Sequence, residues 1–479
     1  MRILSELQPA KVFSFFEDIC AIPHGSGDTK AISDYVAGFA RAHKLKYRQD
    51  SANNVVIWKE ATPGYENAPT VMVQGHMDMV CEKNPGCDKD MTAEGLDLFI
   101  EGDLLGAKGT TLGGDDGIAV AMALAILDSD DIPHGPLECL FTVDEEVGMG
   151  GARALDASDL KAEYLLNIDS EQDRVFTVSC AGSARVVCSF PEKRAAFDGE
   201  ILSVQVSGLQ GGHSGAQIHL ELGNAAKIMG RVLYEMSRVT ELRLLSVAGG
   251  NKDNAIPREV NALIAVRDAE KVKNVAAELD KALKNELFVQ DPEVFVAVAA
   301  AKSELLPMTK ECTDSVIGYM FTVPDGVQNM SAAVKGLVQT SVNLGQVYMR
   351  DGRVHFSHMP RSSVDSQKDE VISKMEALCR ALGGEMEVTS TYSAWQYRPV
   401  SKLRDTMVEA FRAVYGEEPR IEALHAGLEC GILSGKLPGL DCISYGPDLT
   451  DIHTPRERLS IASTMRVWNL TLEALKRIK

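Results

Sequence analysis

Val71-Met-Val-Gln-Gly-His76-Met-Asp78 is the stretch from which the rest of this chain is read. Residues 70–73 are apolar and β-preferring, the pattern of a buried strand. The run breaks at Gly75, and the next polar side chains, His76 and Asp78, stand two positions apart. In extended backbone, alternate side chains share a face, so imidazole and carboxylate project together from the strand's end. That pairing sets a metal-ligating group beside an acid able to orient or polarise it. Alone, it is more often the pattern of an ordinary surface or core His–Asp pair. What weighs on the choice is a succession of acidic strand ends downstream.

Leu112-Gly-Gly-Asp115-Asp116-Gly-Ile118 leads into 119–127, an Ala-rich segment with good helix propensity and almost no polar face, which predicts a buried helix. Asp115 reads either as an N-cap favoured by the helix dipole or as an inward-facing metal ligand, with the glycines letting backbone approach closely. A second apolar strand, 136–143, ends in Asp144-Glu145-Glu146. Adjacent residues leaving a strand diverge, so one glutamate can ligate while the other faces substrate; a solvated acidic turn is the other reading. A third strand, 162–168, ends in Asp169-Ser-Glu171. Strands with acidic ends interleaved with helices read as an α/β sheet, whose ligand sites collect outside the carboxyl ends of the strands. One histidine among several carboxylates suits Zn²⁺, Mn²⁺ or Co²⁺ better than a thiolate-seeking metal.

A chain of 479 residues exceeds what one core supports and predicts at least two domains. Lys+Arg 49 against Asp+Glu 68 gives a net charge of −19, which argues against nucleic acid and anionic membrane as partners. The ten cysteines are scattered without a Cys-x-x-Cys pair, and no signal peptide or span-length apolar segment is read, so a cytoplasmic address is expected. Near the N-terminus, Asp28 is expected to cap a helix running to about His43.

From about Cys188 the texture changes. Residues 201–207 alternate like a half-exposed strand, a Gly-rich turn carries His213, and strands and helices follow one another to about residue 384, predicting an antiparallel sheet covered by helices. His213 alone reads as an exposed loop histidine. The stretch 285–335 yields no element. The first texture resumes with a helix over 401–415 and a turn holding His453, which could supply a second imidazole. The fold expected is therefore a mixed-sheet α/β domain in two parts, 1–186 and 397–479, with a separate α+β domain inserted at 187–396.

Together these motifs carry a resemblance. His76-Met-Asp78, Gly-Gly-Asp115-Asp-Gly, Asp-Glu145-Glu146-Val-Gly, Asn-Ile-Asp169-Ser-Glu, Gly-Gly-His213-Ser-Gly and Asp-Ile-His453-Thr-Pro follow the order seen in the aminoacylase/carboxypeptidase G/carnosinase di-zinc metallopeptidases. Within that family the chain looks most like the bacterial cytosolic aminoacyl-histidine dipeptidases, over its whole length, including Ile22-Pro-His-Gly-Ser-Gly27 and His425-Ala-Gly-Leu-Glu429-Cys-Gly431.

The resemblance implies two Zn²⁺, replaceable by Mn²⁺ or Co²⁺, one held by His76 and Asp169 and the other by Glu146 and His453, with Asp115 bridging. It implies that Asp78 fixes the tautomer of His76, that Glu145 is general base and acid, and that a cis peptide joins Asp115 to Asp116. His213 would stabilise the oxyanion, from its own chain or across a lid-mediated homodimer, and lid closure would exclude water. Asn254, Arg361 and His425 would contact the substrate, Arg361 by gripping a carboxylate. Asp116 departs from the pattern, since relatives often carry Asn there, and adds a carboxylate near the metals. The activity implied is hydrolysis of dipeptides, β-Ala-His among them. The nearest alternative is an acylamino-acid deacylase or tripeptidase of the same chemistry; a more distant one is a non-catalytic binding protein on a hydrolase scaffold.

Overall fold

The computed structural model describes residues 2–479, which divide into two compact units. Of the described residues, the first comprises 2–180, 397–423 and 428–479, and the second 181–396 and 424–427.

The first unit is built on an eight-stranded mixed sheet. Its centre is parallel. Leu137–Thr142, Val71–His76, Tyr164–Asn167 and Asp441–Ser444 lie side by side in that order, so their carboxyl ends emerge together along one rim. Val55–Lys59 and Lys46–Gln49 extend one flank antiparallel. Val71–His76 is buried at every position, as a strand covered on both faces must be. The helix Gly114–Leu127 is buried along its whole length from Asp116 to Leu127 and packs in one core with Phe13, Phe16 and Ile19 of Ala10–Cys20. Gly75 makes this possible. A Cβ there would meet Ala119 Cβ at 2.6 Å and Asp116 Oδ2 at 2.7 Å, so only glycine lets the strand approach the start of the helix.

The second unit carries a nine-stranded antiparallel sheet. Four helices, Ala225–Val239, Ala269–Glu286, Lys310–Thr322 and Asp365–Ala381, share one apolar core with it. Glu200–Ser207 alternates buried and part-exposed positions, as a strand with one covered face should.

Three expectations need correction. The division falls after Cys180 rather than after 186, because Gly182–Pro191 is one unbroken strand of the second sheet, paired along both edges. Residues 424–427 cluster with the second unit, so His425 belongs there and not with the C-terminal catalytic segment. Asp28 does not cap the following helix: Lys30–Ala42 begins after Thr29, with no side-chain cap bond. The unassigned stretch 285–335 holds a strand, Phe295–Ala300, the helix Lys310–Thr322 and a further strand, Gly326–Met330. Among the described residues no helix is long and apolar enough to cross a membrane.

Candidate metal centre

Asp115 is the hinge of the site. Its Oδ1 lies 3.2 Å from His76 Nε2 and its Oδ2 lies 3.2 Å from His453 Nε2. His76 Nε2 is also 3.8 Å from Asp169 Oδ1, and His453 Nε2 is 2.9 Å from Glu146 Oε1. One carboxylate is thus divided between two ligand groups, His76 with Asp169 and His453 with Glu146. Glu146 Oε1 is buried with no hydrogen-bond partner despite the nearby imidazole, the condition of a ligand atom aimed at a common point.

The strand ends explain the convergence. His76 closes one parallel strand, Glu145 and Glu146 follow the next, and Asp169 follows a third. Asp115 comes from the turn into the buried helix, where its backbone is extended (φ −85°, ψ 103°) and the Asp115–Asp116 peptide is cis. Glu457 shapes that turn. Its carboxylate accepts from the backbone N–H groups of Leu112, Gly113, Gly114 and Asp115 at 2.7 to 3.3 Å.

The electrostatics call for cations. Burial alone would strip His76 of its proton, but hydrogen bonds to Asp115 and Asp78 and the nearby Asp169 hold its pKa well above the usual value. Asp115 and Glu146 raise His453 to about 10. Burial, followed by repulsion from Asp116, pushes Asp169 well above the usual carboxylate range. Acids this crowded draw in positive charge, and neutral imidazoles with carboxylates are a donor set for divalent ions of borderline hardness. The residues fit divalent ions of this kind.

Asp78 meets His76 twice: His76 Nδ1 lies 2.9 Å from the main-chain carbonyl of Asp78 and 3.5 Å from its carboxylate. The Asp78 carboxylate accepts from the backbone N–H of Glu145 at 3.0 Å and from Ser26 Oγ at 2.8 Å. It therefore holds the glutamate turn in place. Glu145 is pushed up to about 8, by burial and by Glu429, Glu146 and Asp115, against the pull of His76. A carboxylate near neutrality can both take and return a proton. Asp116, buried beneath the site, accepts the His76 N–H at 3.2 Å, and burial holds its carboxyl well above the usual range.

A polar layer beneath the ligands has no signal in sequence pattern. Gln74 Nε2 donates to Glu429 Oε2 at 2.6 Å, Thr142 Oγ1 donates to the same oxygen at 2.6 Å, and Asn167 Nδ2 donates to Gln74 Oε1 at 2.6 Å. Each of Gln74, Thr142 and Asn167 precedes a metal-centre residue by two or three positions on a central strand.

The remaining expected residues gather in the second unit. Gly212–His213 pairs with Ala255–Ile256, and Ser214 N–H donates to the carbonyl of Asn254 at 2.9 Å, so the His213 turn and the Asn254 loop are bonded together. His213 Nδ1 accepts from the N–H groups of Gly215 and Ala216, which leaves the ring proton on Nε2 and free to donate. A Cβ on Gly215 would meet the His425 carbonyl at 2.6 Å, so the His425 segment abuts the same turn. His425 Nε2 lies 2.7 Å from Ser341 Oγ, and Ser341 is the cross-strand partner of Arg361. Arg361 is buried, its Nη1 reaches Tyr392 Oη at 3.4 Å and its Nη2 reaches Met359 Sδ, and its Nε has no partner. Among the described residues no carboxylate pairs with it. A buried guanidinium lacking a counter-charge is a receptor for an anion. Burial, then the Arg361 charge, lowers His213 and takes His425 down to about 3, so both imidazoles are neutral.

Residues 72–477 match the model of peptidase family M20/M25/M40. The chain belongs to this family. It is similar to a cytosol non-specific dipeptidase of Escherichia coli K12, 36% identical over 100% of this chain and 99% of that protein. Among solved structures, it superposes on an aminoacylhistidine dipeptidase from Vibrio alginolyticus with a TM-score of 0.92 and 34% identity, covering 99% of this chain and 98% of that one. Aminopeptidase PepT from Bacillus cereus shares the fold at a TM-score of 0.58 and 15% identity, covering 98% and 99% of the two chains.

Proposed function

We propose that this M20 peptidase is a metal-dependent dipeptidase, hydrolysing aminoacyl-histidine and other dipeptides, β-Ala-His included, with two Zn²⁺ ions for which Mn²⁺ or Co²⁺ can substitute. The observation that carries the reading is the divided carboxylate of Asp115, each oxygen facing its own histidine. His76, Asp115 and Asp169 would hold one ion and Asp115, Glu146 and His453 the other. When bound, such ions polarise a carbonyl and lower the pKa of water.

The chain's own residues do the rest. Glu145, a carboxylate beside the ligands, accepts a proton from the attacking water and delivers it to the departing amine. Asp78 holds the backbone of that glutamate through the bond to its N–H. His213, neutral and protonated on Nε2, donates to the oxyanion. Arg361, with Asn254 and His425, receives the substrate's terminal carboxylate. The names of the Escherichia and Vibrio relatives support the dipeptide class over the deacylase and tripeptidase alternatives. A homodimer in the cytosol completes the proposal.

The deciding experiment is a substrate panel of β-Ala-His, several α-dipeptides, acetylated amino acids and tripeptides, with Zn²⁺, Mn²⁺ or Co²⁺ and with a chelator. Metal-dependent cleavage confined to dipeptides is the expected result. Cleavage of acetylated amino acids instead, with dipeptides inert, would overturn it.

A further inference from the structure

Beside Glu146 the first unit opens a cavity of about 400 Å³ that none of the roles above uses. Met79, Val80, Met91 and Val147 give it apolar walls, and Cys81 contributes a thiol. Its only charged lining residues among those described are Asp28 and Glu146.

The wall is continuous with the metal centre in sequence as well as in space. Met79 follows Asp78 directly, and Val147 follows Glu146. The 24–26 turn is tied to the same strip: Met79 N–H donates to the His24 carbonyl at 3.1 Å, Ser26 N–H donates to the Met79 carbonyl at 3.3 Å, and Ser26 Oγ holds Asp78 at 2.8 Å. Gly25 is needed for this fit, since a Cβ there would lie 2.7 Å from Cys81 Sγ. The pocket is therefore fixed relative to the ligands rather than hung on a loose loop.

We propose that this cavity is the subsite for an apolar side chain on the substrate residue whose carbonyl is attacked, the N-terminal residue of a dipeptide. The proposal rests on the dipeptidase reading above. Its volume is at the low end of the roughly 300–1,000 Å³ range of pockets that hold whole small ligands, so one side chain fits with room. Two unbranched methionines form a wall that adapts to leucine, methionine or phenylalanine alike. Asp28 at the lining disfavours an acidic side chain. The substrate carboxylate is already provided for by Arg361, which leaves the residue on the other side of the scissile bond for this pocket.

Two measurements test this. Leucyl-histidine, glycyl-histidine and glutamyl-histidine are compared as substrates of the metal-loaded protein and of its Cys81→Phe and Met91→Ala variants. Leucyl-histidine should exceed the other two in kcat/KM by about tenfold or more, the scale on which an apolar pocket discriminates. Cys81→Phe should erase that preference while leaving glycyl-histidine within about twofold, and Met91→Ala should shift preference towards phenylalanyl-histidine. Equal losses on all substrates, or an unchanged preference in both variants, would overturn the proposal.

The second measurement needs no turnover. Cys81 is exposed and Cys87 part-exposed, while the other eight cysteines are buried. In a Cys87→Ser background, alkylation by iodoacetamide followed by mass spectrometry therefore reports on Cys81. Leucinamide should slow it severalfold and glycinamide should not; equal rates would count against the pocket. Protection by leucinamide without hydrolysis of any dipeptide would keep the pocket and remove the dipeptidase reading.

Discussion

Gln74 and Glu429, 355 positions apart in the chain, share a buried 2.6 Å hydrogen bond directly below the metal centre. The same Glu429 oxygen accepts from Thr142, so one carboxylate joins two of the central strands that end in ligands. Burial raises Glu429 to about 7, which marks how closely its charge is enclosed. Glu429→Ala would leave the Gln74 amide and the Thr142 hydroxyl without their acceptor. A loss of about 2 kcal/mol in urea denaturation is expected, and a clearly smaller one for Glu429→Gln, which keeps an acceptor oxygen. Equal midpoints for wild type and Glu429→Ala would show that the layer is not stabilising.

The division of Asp115 fixes what metal counting should find. After dialysis, wild type should retain two ions per chain, His453→Ala about one, and Asp115→Ala close to none, read by elemental mass spectrometry. A full complement of ions in Asp115→Ala would exclude a bridging role.

Glu145 offers a carboxylate oxygen within 4.8 Å of the His76 and Glu146 ligand atoms, and its backbone N–H is held by Asp78. Glu145→Gln keeps its shape and removes its proton chemistry. Turnover should fall by about 10²–10⁴-fold with the metal content unchanged. Retained activity would move the general base elsewhere.

How much of this was legible in the sequence depends on which residues stood out against their surroundings. His76, Asp115, Glu145, Glu146 and Asp169 were visible because each is a charge at the end of an apolar run. Gln74, Thr142 and Asn167 lie inside such runs, where a neutral polar residue is indistinguishable from a tolerated one; their partner Glu429 is a tertiary fact. Glu457 likewise reads as one charge in a basic turn, and only the fold brings it to the 112–115 backbone. The strand Phe295–Ala300 was missed because it pairs only with Glu200–Ser207, is mostly exposed or part-exposed, and has too little apolar alternation to announce itself. Asp28 failed as a cap because local propensity gave way to the turn in which its N–H bonds Gly25.

In the second unit the pH dependence of stability should carry two signatures. Lys227 Nζ donates to the carbonyls of Met320, Phe321 and Val323 at the end of a helix, and burial lowers it to about 8. Asp325 is raised by burial to about 6. A carboxyl whose folded pKa is raised binds its proton more tightly when folded, so its contribution fades as pH climbs from about 4 to about 6. A lysine whose folded pKa is depressed does the opposite: its contribution grows from about pH 8 to about pH 10.5. Denaturation midpoints across pH should show both slopes, the first flattened in Asp325→Asn and the second in Lys227→Met. Persistence of the acid-side slope in Asp325→Asn would assign it to another group.

The second oxygen of Asp115 faces a histidine that lies 338 residues further along the chain. A nascent polypeptide therefore exposes His76, Asp115, Glu146 and Asp169 long before His453 leaves the ribosome. Until then the group of Asp115 and Glu146 lacks its imidazole. Order of translation thus sets the order of assembly: the Asp115–His453 contact forms only after the C-terminal segment has folded back onto the first.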